Sequence, residues 1–358
     1  MKIRFRRVLL ISALLSLLLA AWAGLLRLGW MLPPFAAADH GPLMISGFLG
    51  TLIALERAVA LSASFKRGSW AYAAPLLSAL GAVALVLGVP RAISLGLITL
   101  GSLGLVIIFL ALVQRHFALF SVTMALGALS WLMGNILWLT GQPIYRLVEW
   151  WIAFLVFTIA GERLELTRIM RHSRASQIIF IGITAAYAVG LLLTTLQLDS
   201  GTALIGVSLL ALGSWLFRYD IAHRTVKQTG LTRYIAVCLL AGYGWLLVGG
   251  ALRLGLGTQI AGPSYDAELH SVLLGFAFSM ILGHAPIILP AVLNVSMPFR
   301  QRFYVPLVLL HGSLILRMGA DLSAAFVLRQ WGGMFNVIAI LLFLTITLFV
   351  VYRAEATK

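Results

Sequence analysis

Residues 1–27 read MKIRFRRVLLISALLSLLLAAWAGLLR, a basic flank followed by an apolar run, and this pattern indicates the fold of the chain. The apolar part, residues 8–26, is long enough to cross the hydrocarbon core of a bilayer as a helix. Because basic residues stay on the inner side of a membrane, the flank predicts an N-terminus inside. The small residues near Ala20–Gly24 are also typical of a signal peptide, but we expect a retained helix since no secreted domain follows.

Further apolar runs of similar length follow, which gives about twelve predicted transmembrane helices. Their approximate spans, with the first, are 8–26, 41–62, 71–89, 92–113, 117–139, 147–161, 178–197, 202–217, 232–253, 267–293, 303–320 and 326–352. Hydrophobic residues make up 61% of the 358 residues and charged residues only 10%, which excludes a soluble domain of this size. We therefore predict an all-α, polytopic membrane helical bundle that forms one integral membrane domain over 1–358.

The basic residues are distributed unequally between the two predicted sides of the membrane. All the lysines and most of the 26 Lys and Arg fall inside. The outer side keeps only Arg27, Arg91, Arg146, Arg253, Arg317 and Arg329. This asymmetry predicts that both termini are cytoplasmic, in a bacterial cytoplasmic (inner) membrane. The net charge of +15 then indicates the lipid bilayer as partner and no nucleic acid, because the charge lies in short loops.

The seven histidines fall into two groups. His116, His172 and His223 lie in basic inner loops, where we expect solvated side chains. The others, His40, His270, His284 and His311, lie in or at the ends of apolar runs, where an imidazole is costly without a partner.

The outer pair, His40 and His270, opens two helices that cross the membrane in the same direction. This arrangement predicts a haem clamped between helices, with single hydrogen bonds between helices as the alternative. His284 lies about 21 Å further along the helix of His270 and at a depth similar to that of His311. These two predict a second haem or metal site, with the same alternative. The single cysteine, Cys238, excludes a cysteine metal site.

Neighbouring residues extend these two predicted sites. Met44 and Met280 are each four residues from a candidate histidine, and thioether with imidazole suits copper(I) or haem iron, although both could simply fill the core. Arg253 and Arg317 could bind haem propionates or anchor helix ends at the interface. Carboxylates near the outer pair could fix a histidine tautomer or be solvated, and these are Asp39, Asp266 and Glu268. Adjacent charges expected to anchor inner helix ends are Glu56-Arg57 and Glu162-Arg163.

Two of these stretches resemble NnrS-type membrane proteins. Residues 39–48, DHGPLMISGF, resemble the early histidine helix of that family, and residues 270–284, HSVLLGFAFSMILGH, resemble its later helix. The resemblance implies a twelve-helix protein with haem and copper, linked to nitric oxide and distantly similar in layout to subunit I of haem-copper oxidases. His40 and His270 match the positions that hold the low-spin haem there.

The chain also departs from the oxidase pattern. Position 272 is Val272 where the oxidases carry a second haem histidine, and no histidine lies between 173 and 222. The three-histidine copper site is therefore absent, and a haem-copper oxygen reductase is not expected.

We thus expect a haem-binding, and possible copper-binding, membrane protein with a role in nitric-oxide response or denitrification-related redox metabolism. A quinol or a cytochrome could serve as electron donor, and nitric oxide as ligand. Whether the protein is itself an enzyme stays open. The alternatives are a proton-coupled secondary transporter that uses the intramembrane histidines, and a structural or assembly subunit that does not need them.

Overall fold

A computed structural model describes residues 3–34, 37–64, 68–168 and 172–356 of the chain. Within these ranges twelve helices are long and apolar enough to cross a membrane. We number them α1 (Ile3–Arg27), α2 (His40–Ala63), α3 (Gly68–Val86), α4 (Arg91–Arg115), α5 (Leu119–Leu139), α6 (Ile144–Thr167), α7 (Arg174–Leu196), α8 (Leu198–Tyr219), α9 (Gly230–Leu256), α10 (Gly262–Leu293), α11 (Gln301–Leu322) and α12 (Phe326–Ala356).

Each helix overlaps one of the predicted spans, so the prediction of a polytopic all-helical fold is confirmed. The largest difference lies at α6, which extends from Ile144 to Thr167 where the apolar run ends at 161. The charged residues beyond 161 continue the helix because they form ion pairs, as described below. The predicted span 202–217 is one of the shortest, but the helix found there, α8, has 22 residues and is long enough to cross a membrane.

The chain divides into two compact units, residues 1–162 and 163–358. The first unit contains α1–α5 and most of α6, and the second contains α7–α12. This division does not test whether residues 1–358 form one integral membrane domain, which stays a prediction. The two units are described separately.

Small residues allow the helices of the first unit to pack closely. Gly101 of α4 lies against α3, where a Cβ atom would be 2.8 Å from the backbone nitrogen of Ser78. Gly127 of α5 lies against α6 in the same way, with Thr158 as its neighbour. Close approach of backbones supplies van der Waals contact, which is the main packing force available between helices in lipid.

The second unit uses the same device. Gly190 of α7 and Gly201 of α8 face each other closely, and Gly250 of α9 lies against Gly206 of α8. Asn336 of α12 meets Ser313 of α11 in a buried hydrogen bond. Helix α10 ends at Leu293, because the next residue, Asn294, has a left-handed backbone conformation (φ 53°). Its last turns contain Pro286 and Pro290.

Two helices carry π-helical segments of eight residues each. They are Leu43–Gly50 in α2 and Ser271–Phe278 in α10. In α2 the wider winding makes Thr51 N–H donate to the carbonyl of Ser46, which also accepts from the hydroxyl of Ser78 over 2.8 Å. Because π-helical turns are rare and often lie at functional sites, these two segments direct attention to the residues around them.

Candidate functional site

His40 opens α2, and α1 holds its imidazole. Its Nδ1 donates to the backbone carbonyl of Ala20 over 2.7 Å. The ring lies against Gly24, where a Cβ atom would stand only 2.9 Å from the ring atom Cε1. The preceding residue, Asp39, accepts a hydrogen bond from Arg91 of α4 over 3.0 Å. The position of His40 therefore depends on a small residue and a backbone carbonyl of α1.

His270 lies directly before the π-helical segment of α10 and is surrounded by charge. Its Nδ1 donates to the carbonyl of Asp266 over 2.9 Å and lies 3.3 Å from the carboxylate oxygen Oδ1 of the same residue. Arg317 of α11 donates to the other oxygen, Oδ2, from Nε (3.0 Å) and Nη2 (2.6 Å). The same Nη2 lies 3.5 Å from Nε2 of His270. Asp266 thus lies where the sequence predicts a carboxylate beside this histidine.

The ion pair of Arg317 belongs to a larger network in the second unit. Arg329 of α12 has its Nε 2.6 Å from a carboxylate oxygen of Asp321 and its Nη2 3.7 Å from Asp266. The network links α10, α11 and α12 near His270. Since a buried charge is costly without a partner, this pairing explains how the charges lie inside a largely apolar bundle.

A second arginine–aspartate pair lies near the other histidine of α10. Arg163 of α6 donates to both carboxylate oxygens of Asp220, over 2.8 and 3.0 Å, and the two side chains are 4% and 1% exposed. Nη1 of Arg163 lies 3.5 Å from Nε2 of His284. The fully buried side chain of Tyr243 is an electrostatic neighbour of both members of the pair. An imidazole beside an Asp-paired guanidinium therefore occurs twice along α10.

The Nδ1 atoms of His40, His270 and His284 all donate to backbone carbonyls. For His284 the acceptor is the carbonyl of Met280, 2.7 Å away. Because a carbonyl can only accept, each neutral ring carries its proton on Nδ1 and its lone pair on Nε2. Metal-bound histidines usually donate their other ring nitrogen in this way, so the tautomer fits a haem or metal ligated through Nε2. At His270 and His284 a guanidinium lies 3.5 Å from that nitrogen, and a metal ion would have to displace it.

His311 of α11 has the opposite arrangement. Its Nδ1 accepts a hydrogen bond from the indole N–H of Trp245 over 2.9 Å, and the two rings are nearly parallel. The proton of the neutral ring then lies on Nε2, which cannot coordinate a metal while it carries that proton. Within the described residues His284 and His311 have different partners. Joint metal binding by these two stays a prediction that requires His311 to give up this bond.

The other predicted ligands lie in ordinary packing environments. Met280 is buried, its methyl group packs on Gly242, and its carbonyl accepts from His284. Met44 is half-buried. Arg253 is 1% exposed and donates to the carbonyl of Gly249 in its own helix, so it is not an interfacial anchor here. Its predicted contact with a haem propionate stays a prediction, as does that of Arg317.

Two expected surface features are wrong in detail. His172 and His223 are half-buried rather than solvated. His223 Nδ1 donates to the carbonyl of Asp220, and His172 packs against Trp215 and is hydrogen-bonded to the hydroxyl of Thr167. His116 is exposed, as expected.

The adjacent charges on α6 are not snorkelling anchors, since Arg57 donates to Glu162 within the first unit and Arg163 donates to Asp220 within the second. Sequence reasoning missed Asp220 because nothing in its loop marks a partner so far away in the chain.

Acidification should destabilise the protein through His172. Burial lowers the pKa of His172 below its ordinary value of 6.5, because the charged ring loses hydration, and the charge of Asp220 opposes this only in part. The folded chain therefore binds this proton less readily than the unfolded chain. The contribution is complete above about pH 6.5 and is lost as the pH falls below it. We expect the Tm of the wild type to fall more steeply below that pH than the Tm of His172→Gln; parallel curves would contradict this.

Among the described residues no three His, Cys, Asp or Glu side chains are grouped so that they could hold a metal ion together. Copper binding by this chain stays a prediction. The ligands that fit a cofactor best are instead single histidines, each with a backbone carbonyl at Nδ1.

Residues 6–352 match the family model of a domain of unknown function, DUF8744. No curated protein and no solved structure matches the chain. Because the match runs through all twelve helices, the chain belongs to the DUF8744 family.

Proposed function

We propose that this protein binds haem, with His40 and His270 as the axial ligands, and acts in nitric-oxide response or denitrification-related redox metabolism. The role in nitric-oxide metabolism rests on the resemblance of residues 39–48 and 270–284 to NnrS-type proteins. In this proposal the protein lies in the bacterial cytoplasmic membrane with both termini inside, as the distribution of basic residues predicts.

One observation carries the haem proposal. His270 lies directly before the π-helical segment Ser271–Phe278, His40 lies three residues before the segment Leu43–Gly50, and each has its proton held on Nδ1 by a backbone carbonyl. His284 has the same Nδ1 bond, but among the described histidines only His40 and His270 also lie just before a π-helical segment. The shared construction is what two imidazoles with the same task, presenting Nε2 to iron, would need.

The residues near the histidines have supporting tasks in this proposal. Ala20 and Asp266 fix the tautomers, and Gly24 leaves room for the ring of His40. Arg317 lies 3.5 Å from Nε2 of His270, so it would have to move away from this nitrogen for iron to bind there, and its guanidinium would then be free to pair with a propionate group. Haem bound there would supply one-electron redox chemistry, and nitric oxide could bind its iron only by displacing one of the two histidines. A quinol or a cytochrome is the class of electron donor we propose.

The proposal is tested by the visible spectrum and the iron content of protein purified from haem-replete cells. We expect stoichiometric haem in the wild type and its loss in His40→Ala and in His270→Ala. His116→Ala is the matched control, because His116 is an exposed loop residue and its removal should leave the haem content unchanged. Copper is quantified in the same samples.

Folded wild-type protein without iron would overturn the proposal. Retention of haem in both alanine variants would show that other residues ligate it. If haem is present, a shift of the spectrum on addition of nitric oxide is the next expected result, and copper above background would support the copper-binding form of the proposal.

A specific observation favours a second candidate, a proton-coupled secondary transporter. Buried ionisable residues inside a membrane protein often line substrate or proton paths, and Arg163, Asp220, Tyr243 and His284 form such a cluster in the second unit. This candidate predicts uptake by proteoliposomes that responds to a pH gradient and is lost in His284→Gln. It also predicts folded protein without haem, so the two candidates give opposite spectra.

A further inference from the structure

Trp245 of α9 lies directly on the π-helical segment of α10. Its indole covers Gly275, where a Cβ atom would stand 2.4 Å from Cγ of the tryptophan. Real side chains do not approach this closely, so only glycine leaves space for the indole at this position. Gly275 lies about one π-helical turn after His270, so the indole packs on the segment close to this histidine.

The other edge of the indole is held by His311. The N–H of Trp245 donates to Nδ1 of His311 over 2.9 Å, and the ring planes are 15° apart. Nε2 of His311 is buried and has no hydrogen-bond partner among the described residues. In this tautomer the lone pair of His311 is on Nδ1, and it accepts the hydrogen bond of the indole. It is therefore not available to a metal ion while this bond is formed.

The first unit repeats this construction on its own π-helical segment. Gly50 at the end of Leu43–Gly50 is covered by Trp131 of α5, with a Cβ atom 2.2 Å from the indole atom Cζ2. The N–H of Trp131 donates to the hydroxyl of Ser46 over 3.1 Å. Phe154 stacks on the same indole at 5.0 Å. A glycine covered by an anchored indole therefore accompanies each segment.

We infer that Trp245 and His311 form a positioning pair that holds the π-helical winding of Ser271–Phe278, and that His311 is a hydrogen-bond acceptor in this pair and not a metal ligand. A change from π to α winding over these residues would rotate His270 relative to the rest of α10. The indole resists this change because its shape fits Gly275 only in the observed winding. The inferred effect on haem rests on the proposed function, but the effect on the segment does not.

Hydrogen exchange measured by mass spectrometry on the purified full-length protein tests the inference. Trp245→Phe keeps a ring on Gly275 but removes the donor, and His311→Leu removes the acceptor. We expect exchange of residues 271–278 to become about tenfold faster in each, as loss of one buried hydrogen bond predicts. His311→Gln keeps an acceptor and should restore slow exchange. Residues 43–50 serve as the internal control and should not change.

Unchanged exchange of residues 271–278 in both Trp245→Phe and His311→Leu would overturn the positioning role. Iron content separates the two parts of the inference: His311→Gln should keep the haem of the wild type, and its loss with unchanged exchange would show that His311 is a ligand. Absence of haem from the wild type would end the proposed function, while the exchange comparison would still decide whether this pair holds the segment.

Discussion

Asp220→Asn should lower the free energy of unfolding by about 3–5 kcal/mol, the largest stability effect we expect from a single substitution. Asp220 and Arg163 are almost fully buried and share two hydrogen bonds. The asparagine keeps the shape and the oxygen that accepts from Ala222 N–H, but it leaves the guanidinium without a counter-charge. Denaturant or thermal unfolding in detergent measures the loss.

Asp199→Asn is the matched control, because Asp199 is exposed in the first turn of α8 and its removal should have little effect. Adding Arg163→Gln to the Asp220→Asn variant should recover part of the stability, since no unpaired charge then remains buried. Equal stability of the two single Asp variants would show that the Arg163–Asp220 pair does not form. The double variant also separates the loss of the ion pair from any change in packing.

Gly24→Ala should displace His40 and weaken the binding of haem. The added methyl group would stand 2.9 Å from Cε1 and 3.0 Å from Nδ1 of the imidazole, too close for the ring to stay. Overpacking of this kind costs about 1–3 kcal/mol, and turning the ring away from Ala20 relieves it. Haem affinity should therefore fall about tenfold or more. Haem titration of the purified protein measures it.

Gly96→Ala in α4 is the control for this substitution. It also places a methyl group inside a helix, but no atom of the described structure lies within 4 Å of the added Cβ. Its haem affinity should match the wild type and its stability should rise slightly, because alanine favours helix over glycine. Wild-type affinity in Gly24→Ala would contradict the role of α1 in holding His40, even if His40 itself proves to be a ligand.

The twelve helices could be predicted from the sequence because each apolar run is long enough to span a bilayer. The four histidines outside the loops were also identifiable, because polar groups stand out in apolar runs. Their partners were not. The pairing of Arg163 with Asp220 joins residues 57 positions apart, and the contact between Trp245 and His311 joins residues 66 apart. No local spacing encodes such contacts, since they depend on which helices are neighbours.

Hydrophobicity and charge, which are properties of each segment by itself, let the sequence alone determine the number of helices and the identity of the histidines that need a partner. Only the tertiary structure decided what each histidine does with its two nitrogens. His40, His270 and His284 donate from Nδ1 to carbonyls, whereas His311 accepts at Nδ1 from an indole. The same side chain thus becomes a fitting metal ligand or a hydrogen-bond acceptor. The reason is that the group facing Nδ1 sets the position of the proton. Neighbouring helices supply that group to His40 and His311, whereas His270 and His284 use a carbonyl of their own helix and meet their arginines through the tertiary structure.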